Sequence, residues 1–597
     1  MRWKFDRFLQ ELDYLGRLLN KRMDCIRDYL DLNSMVRCLD LNLAKETIRE
    51  FFKDRSIIYA LGIDGSMSYE ERMEIIVLYI AVSGFKAPIR ILNDGSVKPL
   101  FNEIKREDKY TFSTVIPVWI EDLNDILGGS NIGDVRSLEA TLESIPFSLM
   151  TFGEYYMGLE GIKGDIDILL LDRPIASSIH SYRRDARRLI FEDNGGTIVD
   201  MDINGERLSI ADLFLGVFIG PMLGRTPLFK MPYRGRFKLY SVIQIALENG
   251  GSIDVFKLCS ICPKACEEWS KLKRKFIKLN NALSGELLDE YMLESRLVIN
   301  RERLNYWNKI IKLINLIGHR LFHDEYDEHP LLINDAWITT RDLNTLILLM
   351  IYEIARLERE RNKIVVGIGK DTYVTDLCRS VIPTAIELKL VDKNIKLPIK
   401  SDRPLLTLAS SLHPDIFKPP WRLAGYDDAF ATLVKPSNEG LRAARRVIYP
   451  EGLLVRVYFQ LRKLKGINNI EVKSPVFFYD RFQRSEFDDK FRVKLNAFEL
   501  DKNVLIRPYL EIELNPLDNM ILYILSLMDK PEITEATGHN YLLFMADKDV
   551  KAAISMVKKA VINVADMRIS RIIRERGIFI VTRRFRDFRR FIERRRG

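Results

Sequence analysis

Glutamine is scarce in this chain. Only Gln10, Gln244, Gln460 and Gln483 occur in 597 residues, against abundant Ile, Arg, Lys and Glu. That balance leans toward a thermophilic source. Cysteine is thin as well, six in all, which excludes a disulfide-stapled secreted scaffold. No apolar run is long enough to cross a bilayer. The best candidate, LNTLILLMIYEIA at 343–355, is too short and is flanked by charge. No cleavable signal peptide is read at the N-terminus, where MRWKFDRFLQELDYLGRLLNKR is amphipathic and charged. The expected location is therefore cytoplasmic, with no membrane partner. No internal repeat or low-complexity tract stands out.

What is present suits a globular protein. Hydrophobic residues make up 47 %, enough for a packed interior, and the length calls for two to four domains. The net charge of +9 is modest for this length, so its distribution matters more. Twelve arginines fall between Arg568 and Gly597, interleaved with Phe585, Phe588 and Phe591. Such a tail suits a polyanion, with Arg583, Arg584 and Arg586 as candidate DNA contacts. A solvated amphipathic helix is the alternative.

Hydrophobic periodicity divides the rest. Residues 1–54 read as helical, and SIIYALGID (56–64) as a strand. ERMEIIVLYIAVSGF (71–85) is strand or helix, and 134–160 reads as helix. DIDILLLDRPI (165–175) is a strand buried on both faces. Residues 176–335 break the rhythm and read as an inserted, mostly helical module. A helix (341–360) then leads to the strand KIVVGIGKDT (363–372). Further strands are expected at 453–461, 468–480 and 503–514, with strand, acidic turn and helix over 540–561. The fold class is mixed α/β. The expected organisation is an N-terminal helical region (1–54), a core in two parts (55–175 and 336–567), the insertion, and the basic tail (568–597).

Three predicted strands each deliver an aspartate at their C-terminal end: Asp64 after YALGI, Asp172 after DILLL and Asp547 after YLLFMA. Open α/β sheets place ligands at that edge. Carboxylates gathered there repel one another unless a cation neutralises them, and oxygen ligands suit Mg²⁺ or Mn²⁺. Such ions support phosphodiester cleavage. Taken alone, Asp547 reads first as a helix cap or turn. Gly65 would let backbone and metal come close, and Ser66 would donate a hydrogen bond to a phosphate.

The pattern as a whole resembles the NurA nucleases of archaea and bacteria. GIDGS (62–66), ILLLDRPI (168–175), VVGIGKDT (365–372), VRVYFQLRKLKGINNIEVKSP (455–475) and NYLLFMADKDVKAAI (540–554) carry the resemblance in order. It implies an RNase H-like, Piwi-related core with Asp64, Glu154, Asp172 and Asp547 as catalytic metal ligands. It implies that Lys370 and Tyr458 contact DNA, Tyr458 by stacking on a base or placing a phosphate. It further implies a Mn²⁺-dependent 5′-to-3′ exonuclease and single-strand endonuclease, dimeric, working with a HerA-type hexameric ATPase in DNA end resection. There are departures. Arg173-Pro174 stands where the family prefers Gly-Ser, although Arg173 offers a phosphate contact. Asp547 stands at a position that is often His, with His539 nearby. Glu139, Glu143 and Glu160 compete with Glu154, and Asp335 competes with Asp172. The longer strand and the spacing from Glu154 favour Asp172. A catalytically inactive DNA-binding adaptor, or an Argonaute- or transposase-like enzyme, are the alternatives.

Cys259, Cys262 and Cys266 in KLCSICPKACEEW contain the C-x-x-C half of a zinc site, and His319 and His323 in GHRLFH share one helix face. Together they form a candidate structural zinc site within the insertion. Buried or free cysteines remain the alternative, because 56 residues separate Cys262 from His319, more than a zinc finger uses.

Overall fold

The computed structural model of the chain describes residues 9–21, 32–53, 55–72, 75–127, 135–193, 195–203, 205–323, 328–333, 335–370, 374–391, 399–436, 439–464, 472–500, 502–530, 532–533 and 538–576. Side chains are not described at 71, 72, 124, 135–141, 562, 563 and 565–576. Arg583, Arg584 and Arg586 lie outside the described residues.

A mixed sheet of eleven strands organises the described residues. In chain order these are β1 (Val36–Cys38), β2 (Ile57–Arg72), β3 (Ile75–Ile91), β4 (Val97–Pro99), β5 (Lys109–Trp119), β6 (Ile168–Leu171), β7 (Ile364–Gly369), β8 (Trp421–Leu423), β9 (Tyr426–Asp427), β10 (Leu454–Gln460) and β11 (Phe477–Phe482). They lie in the order β1-β8-β10-β11-β7-β6-β2-β3, with β4 and β5 both on the outer edge of β3 and β9 on β10. β2, β6 and β7 run parallel at the centre, and the pairs on either side of them are antiparallel. Within the run at 71–85, Ile75–Phe85 is strand, the β-branched start of β3, which pairs with β2 on one side and β5 on the other.

The central strands are covered on both faces. On one face Leu61, Ile63, Leu169, Leu171 and Val365 join a large apolar cluster. It includes α2 (Val135–Lys163), α3 (Ile175–Phe191), α4 (Tyr306–Phe322) and α5 (Thr340–Glu360). The segment 176–335 thus shares one core with the sheet. On the other face Ile58, Ala60, Ile168, Leu170 and Val366 meet α1 (Leu41–Phe51), α6 (Pro516–Leu527) and the start of α7 (Tyr541–Arg576). The period of two along each strand explains both sets.

Two expected elements differ. The N-terminal region is not helical throughout, because Val36–Cys38 pairs with β8 as an edge strand. No strand forms at 540–554; the segment is helix from Tyr541. Its apolar residues serve a helical stripe, with Leu542, Leu543, Ala546 and Val550 buried. Asn540 caps it, its Oδ1 accepting from Leu542 N at 3.0 Å and Leu543 N at 3.3 Å.

Helix α7 lies close on β2 because Gly62 has no side chain. A Cβ there would sit 2.6 Å from Leu542 Cβ and 3.1 Å from Leu542 C. Gly62→Ala is expected to cost about 1–3 kcal/mol by overpacking, read as a lower urea midpoint. An unchanged midpoint would mean that α7 is free to shift.

Candidate active site

The parallel register builds the site. Ile63 pairs with Leu171, and Asp172 N donates to Ile63 O at 3.1 Å. Asp172 therefore follows the end of β6 beside Asp64; Asp64 does not end its strand as the sequence suggests but lies in the middle of β2, which continues to Arg72 because its second half pairs with β3. β7 runs on the far side of β6, Gly367 opposite Leu171, and delivers Lys370 to the same edge. Helix α2 brings Glu154 and helix α7 brings Asp547. Asp549, two residues further along, ties α7 to the sheet: its Oδ2 accepts from Ser83 Oγ at 2.8 Å and its Oδ1 from Lys109 Nζ at 2.6 Å.

Asp64 is buried, and its Oδ1 accepts from Gly65 N at 2.8 Å. Burial first, then the charges of Asp172 and Glu154, push its carboxyl up to about 9. Burial also raises Asp172, against the pull of Lys370 and a hydrogen bond shared with Asp64. Two carboxyls in contact cannot both ionise cheaply, so at neutral pH this pair holds a proton. Asp172 is ion-paired with Lys370, Glu154 with Arg173, and Asp547 with Lys551 at 2.7 Å. Gly65 must lack a side chain, which would collide with the Glu154 carboxylate and Met150 Cγ.

The other expected residues fall as follows. Ser66 continues β2 one residue beyond Gly65, half-buried opposite Ala81. Arg173 does not face an open groove for phosphate: it is buried against Glu154 and donates to Thr151 Oγ1 at 2.7 Å. Asp335 is an exposed residue at φ +61° in the hairpin joining Leu332–Ile333 to Ala336–Trp337, so Asp172 takes the place beside Asp64. Glu143 and Glu160 are exposed, and the Glu139 side chain lies outside the described residues. The His539 ring packs 5.5 Å from that of Phe477, and burial with the nearby Lys370 charge pushes it down to about 3.

Tyr458 does not reach DNA. Its ring is 1 % exposed, and its hydroxyl donates to Asp402 Oδ2 at 3.0 Å. Stacking on a base requires an open face, which a core ring cannot offer. Tyr458→Phe is expected to lower stability by about 1 kcal/mol and to leave single-stranded DNA affinity unchanged. A tenfold weaker Kd would restore a role for the Tyr458 hydroxyl in placing a phosphate.

The zinc reading is corrected too. Cys259 and Cys266 are joined in a disulfide, so neither offers a thiolate, and Cys262 remains as a half-buried free thiol. The His319 and His323 rings lie 5.1 Å apart, and His323 meets the Phe112 ring. Among the described residues no three His, Cys, Asp or Glu side chains are gathered as a metal-holding group. Glu154, Asp172 and Asp547 are each ion-paired with a cation of the chain itself.

Lys551 is a member of the site that the strand expectation for 540–554 hides. It pairs with Asp547 four residues earlier, and the charges of Asp64 and Asp172 also act on it. Its i, i+4 spacing from Asp547 is a signal only once the segment is helical.

Fold and site together define a mixed α/β protein with a cluster of acidic and basic side chains where β6 and β7 end beside the middle of β2. No family model matches the sequence, and no curated protein matches it. Among solved structures, similarity is found to the NurA nuclease from Sulfolobus solfataricus, at 13 % identity, TM-score 0.35, covering 95 % of this chain and 98 % of that one. A NurA structure with manganese matches at 12 % identity and TM-score 0.34, covering 93 % of this chain and 98 % of that one. One bound to dAMP and manganese matches at 12 % and 0.29, covering 80 % and 87 %. No helix among the described residues is long and apolar enough to cross a membrane.

Proposed function

We propose that the chain is a metal-dependent deoxyribonuclease of the NurA kind, hydrolysing phosphodiester bonds where the end of β6 meets the middle of β2. The observation that carries this reading is the parallel register that sets Asp64 beside Asp172. The order β5-β3-β2-β6-β7, antiparallel through β2 and parallel beyond it, supports an RNase H-like core. That core would comprise 55–175 and 336–567, with 176–335 inserted.

The donor set has the chemistry a hard divalent cation takes, and Asp172 and Asp547 would turn from their lysine partners to gather around it. The set is all oxygen, crowded, and holds a proton that a cation would replace. Asp64, Asp172 and Asp547 would hold Mn²⁺ or Mg²⁺, which supplies Lewis acidity toward a phosphate oxygen. With Asp172 turned to the ion, Lys370 would be free to bind a neighbouring phosphate oxygen, and Ser66 would donate to the same group. Arg583, Arg584 and Arg586 add sequence-independent phosphate contacts. The sequence resemblance contributes the 5′-to-3′ polarity, the single-strand endonuclease activity, the homodimer and the hexameric HerA-type partner.

The test is incubation of the purified chain with end-labelled linear DNA. Degradation with Mn²⁺ and none with a chelator is expected; no cleavage with Mn²⁺ or Mg²⁺ would refute the reading. A second reading, a DNA-binding subunit that does not cleave, is favoured by the three ion pairs, which already neutralise the carboxylates. Tight DNA binding without cleavage under any divalent metal selects it.

A further inference from the structure

A second, four-stranded sheet lies away from the strand-end carboxylates. Its strands are Leu433–Val434, Arg442–Ala443, Leu495–Glu499 and Lys502–Ile506, in that order. The inner face is packed: Leu433, Leu495, Ala497 and Ile506 join the apolar cluster that holds Tyr458 of β10 and Phe478 of β11. Those two strands lie beyond β7 from Asp64 and Asp172. The outer face is open, with Phe498 43 % and Leu505 53 % exposed.

The register sets what that face carries. Leu495 stands opposite Ile506 and Phe498 opposite Asn503. The same pairing runs on to Arg492 opposite Tyr509, which puts Lys494 opposite Arg507. Both are exposed, and among the described residues neither is ion-paired. Like charges directly opposite one another on a sheet cost stability, so folding alone does not select this pair. Arg442 lies across from Phe498 on the neighbouring parallel strand and adds a third cation, paired with Glu439. The strands themselves hold one carboxylate, Glu499, which is turned inward and buried, its Oε1 accepting from Ile448 N at 3.0 Å. The face therefore carries a net positive charge that its own strands do not neutralise.

Phe498 is backed as a platform. A Cβ on Gly440 would come within 3.1 Å of Phe498 Cε2 and 3.7 Å of its Cδ2, so the ring rests against the bare Gly440 backbone. The like-charged pair selects a polyanion, and the half-open ring selects one whose bases are free to stack. We propose that this face binds an unpaired nucleic-acid strand, with a base stacked on Phe498 beside Leu505 and phosphates held by Lys494 and Arg507. The inference lies beyond the strand-end chemistry and holds whether or not the chain cleaves DNA.

The test is fluorescence anisotropy of labelled oligo(dT) of about 20 nucleotides, long enough for one such site, with the full chain and a chelator so that no cleavage intervenes. Phe498→Ala is expected to weaken Kd by about tenfold, the scale of one lost base stack, and to leave affinity for a duplex of the same length within about twofold. The double variant Lys494→Gln/Arg507→Gln is expected to weaken Kd by about tenfold and to lower the slope of log Kd against log salt by about 1.4, the worth of two single-strand phosphate contacts. The same double variant should keep a urea midpoint no lower than the native one, since it removes a repulsion; a merely structural pair would not lose affinity while keeping stability. No binding of oligo(dT) by the native chain, or affinity within about twofold of native in either variant, would overturn the inference and leave the nuclease reading intact. An equal loss for the duplex in Phe498→Ala would overturn it too, because paired bases offer the ring no face. Should Phe498→Ala fail to fold, the double variant, which alters no packed residue, decides alone.

Discussion

Asp64→Asn is expected to lower Mn²⁺-dependent DNA cleavage by about a thousandfold or more, the scale lost when a preorganised group at the reacting centre is removed. The same substitution is expected to stabilise the metal-free chain at neutral pH. Folding buries Asp64 next to two other carboxylates and raises it from 3.8 to about 9. Between those values the folded chain holds a proton that the unfolded chain has released. The Asp64 contribution to stability is therefore fully present below about pH 4, falls as the pH rises, and is lost above about pH 9. Asn carries no such penalty. Asp64→Asn should melt at the native temperature near pH 4 and increasingly above it toward pH 9, where its stability should exceed that of the native protein by at least about 1.4 kcal/mol, the worth of one pKa unit. Calorimetry across that range checks the sign. A pH-independent difference, or retained cleavage, would place Asp64 outside the site.

Arg481→Met is expected to leave the protein unfolded or insoluble. Arg481 sits on β11, 2 % exposed, and reaches two buried carboxylates. Its Nη1 and Nη2 each donate to Asp488 at 2.8 Å, and its Nε and Nη2 donate to Asp518 at 2.6 and 2.7 Å. The Arg481 charge is the main force holding Asp518 below the usual carboxylate range against burial. Removing the guanidinium strands both carboxylates in the interior, at a cost of about 3–5 kcal/mol or more. Most of a domain's stability is of that size. Urea unfolding of any soluble variant provides the measure. A midpoint within error of the native one would show that α6 and β11 are held together by packing alone.

The strand that ends just before Asp172 is legible in the sequence as a short, continuous apolar run, whereas only the first half of β2 is, because the strand runs on past Asp64 through the polar residues 64–72. Their adjacency is not legible, since parallel pairing joins residues more than a hundred positions apart. The start of α7 shows the limit of periodicity over a short apolar run: LLFMA suits a strand buried on both faces, and Asn540 capping with the spacing of Leu543, Ala546 and Val550 decides for helix. Tyr458 reads as available for DNA because the apolar strand around it gives no sign of depth. Both faces of β10 are buried, so alternation is lost. The same burial hides Arg456, whose partner Asp480 lies directly across on β11 at 2.8 Å. Charges neutralised across strands leave no trace in either strand's sequence alone.

Anomalous diffraction from a crystal soaked in Mn²⁺ examines the strand-end site itself. A peak within coordination distance of both Asp64 and Asp172, with Lys370 displaced from Asp172, is the expected result. An Asp64–Asp172 pair left unchanged at saturating Mn²⁺, with no peak where the end of β6 meets the middle of β2, would contradict it.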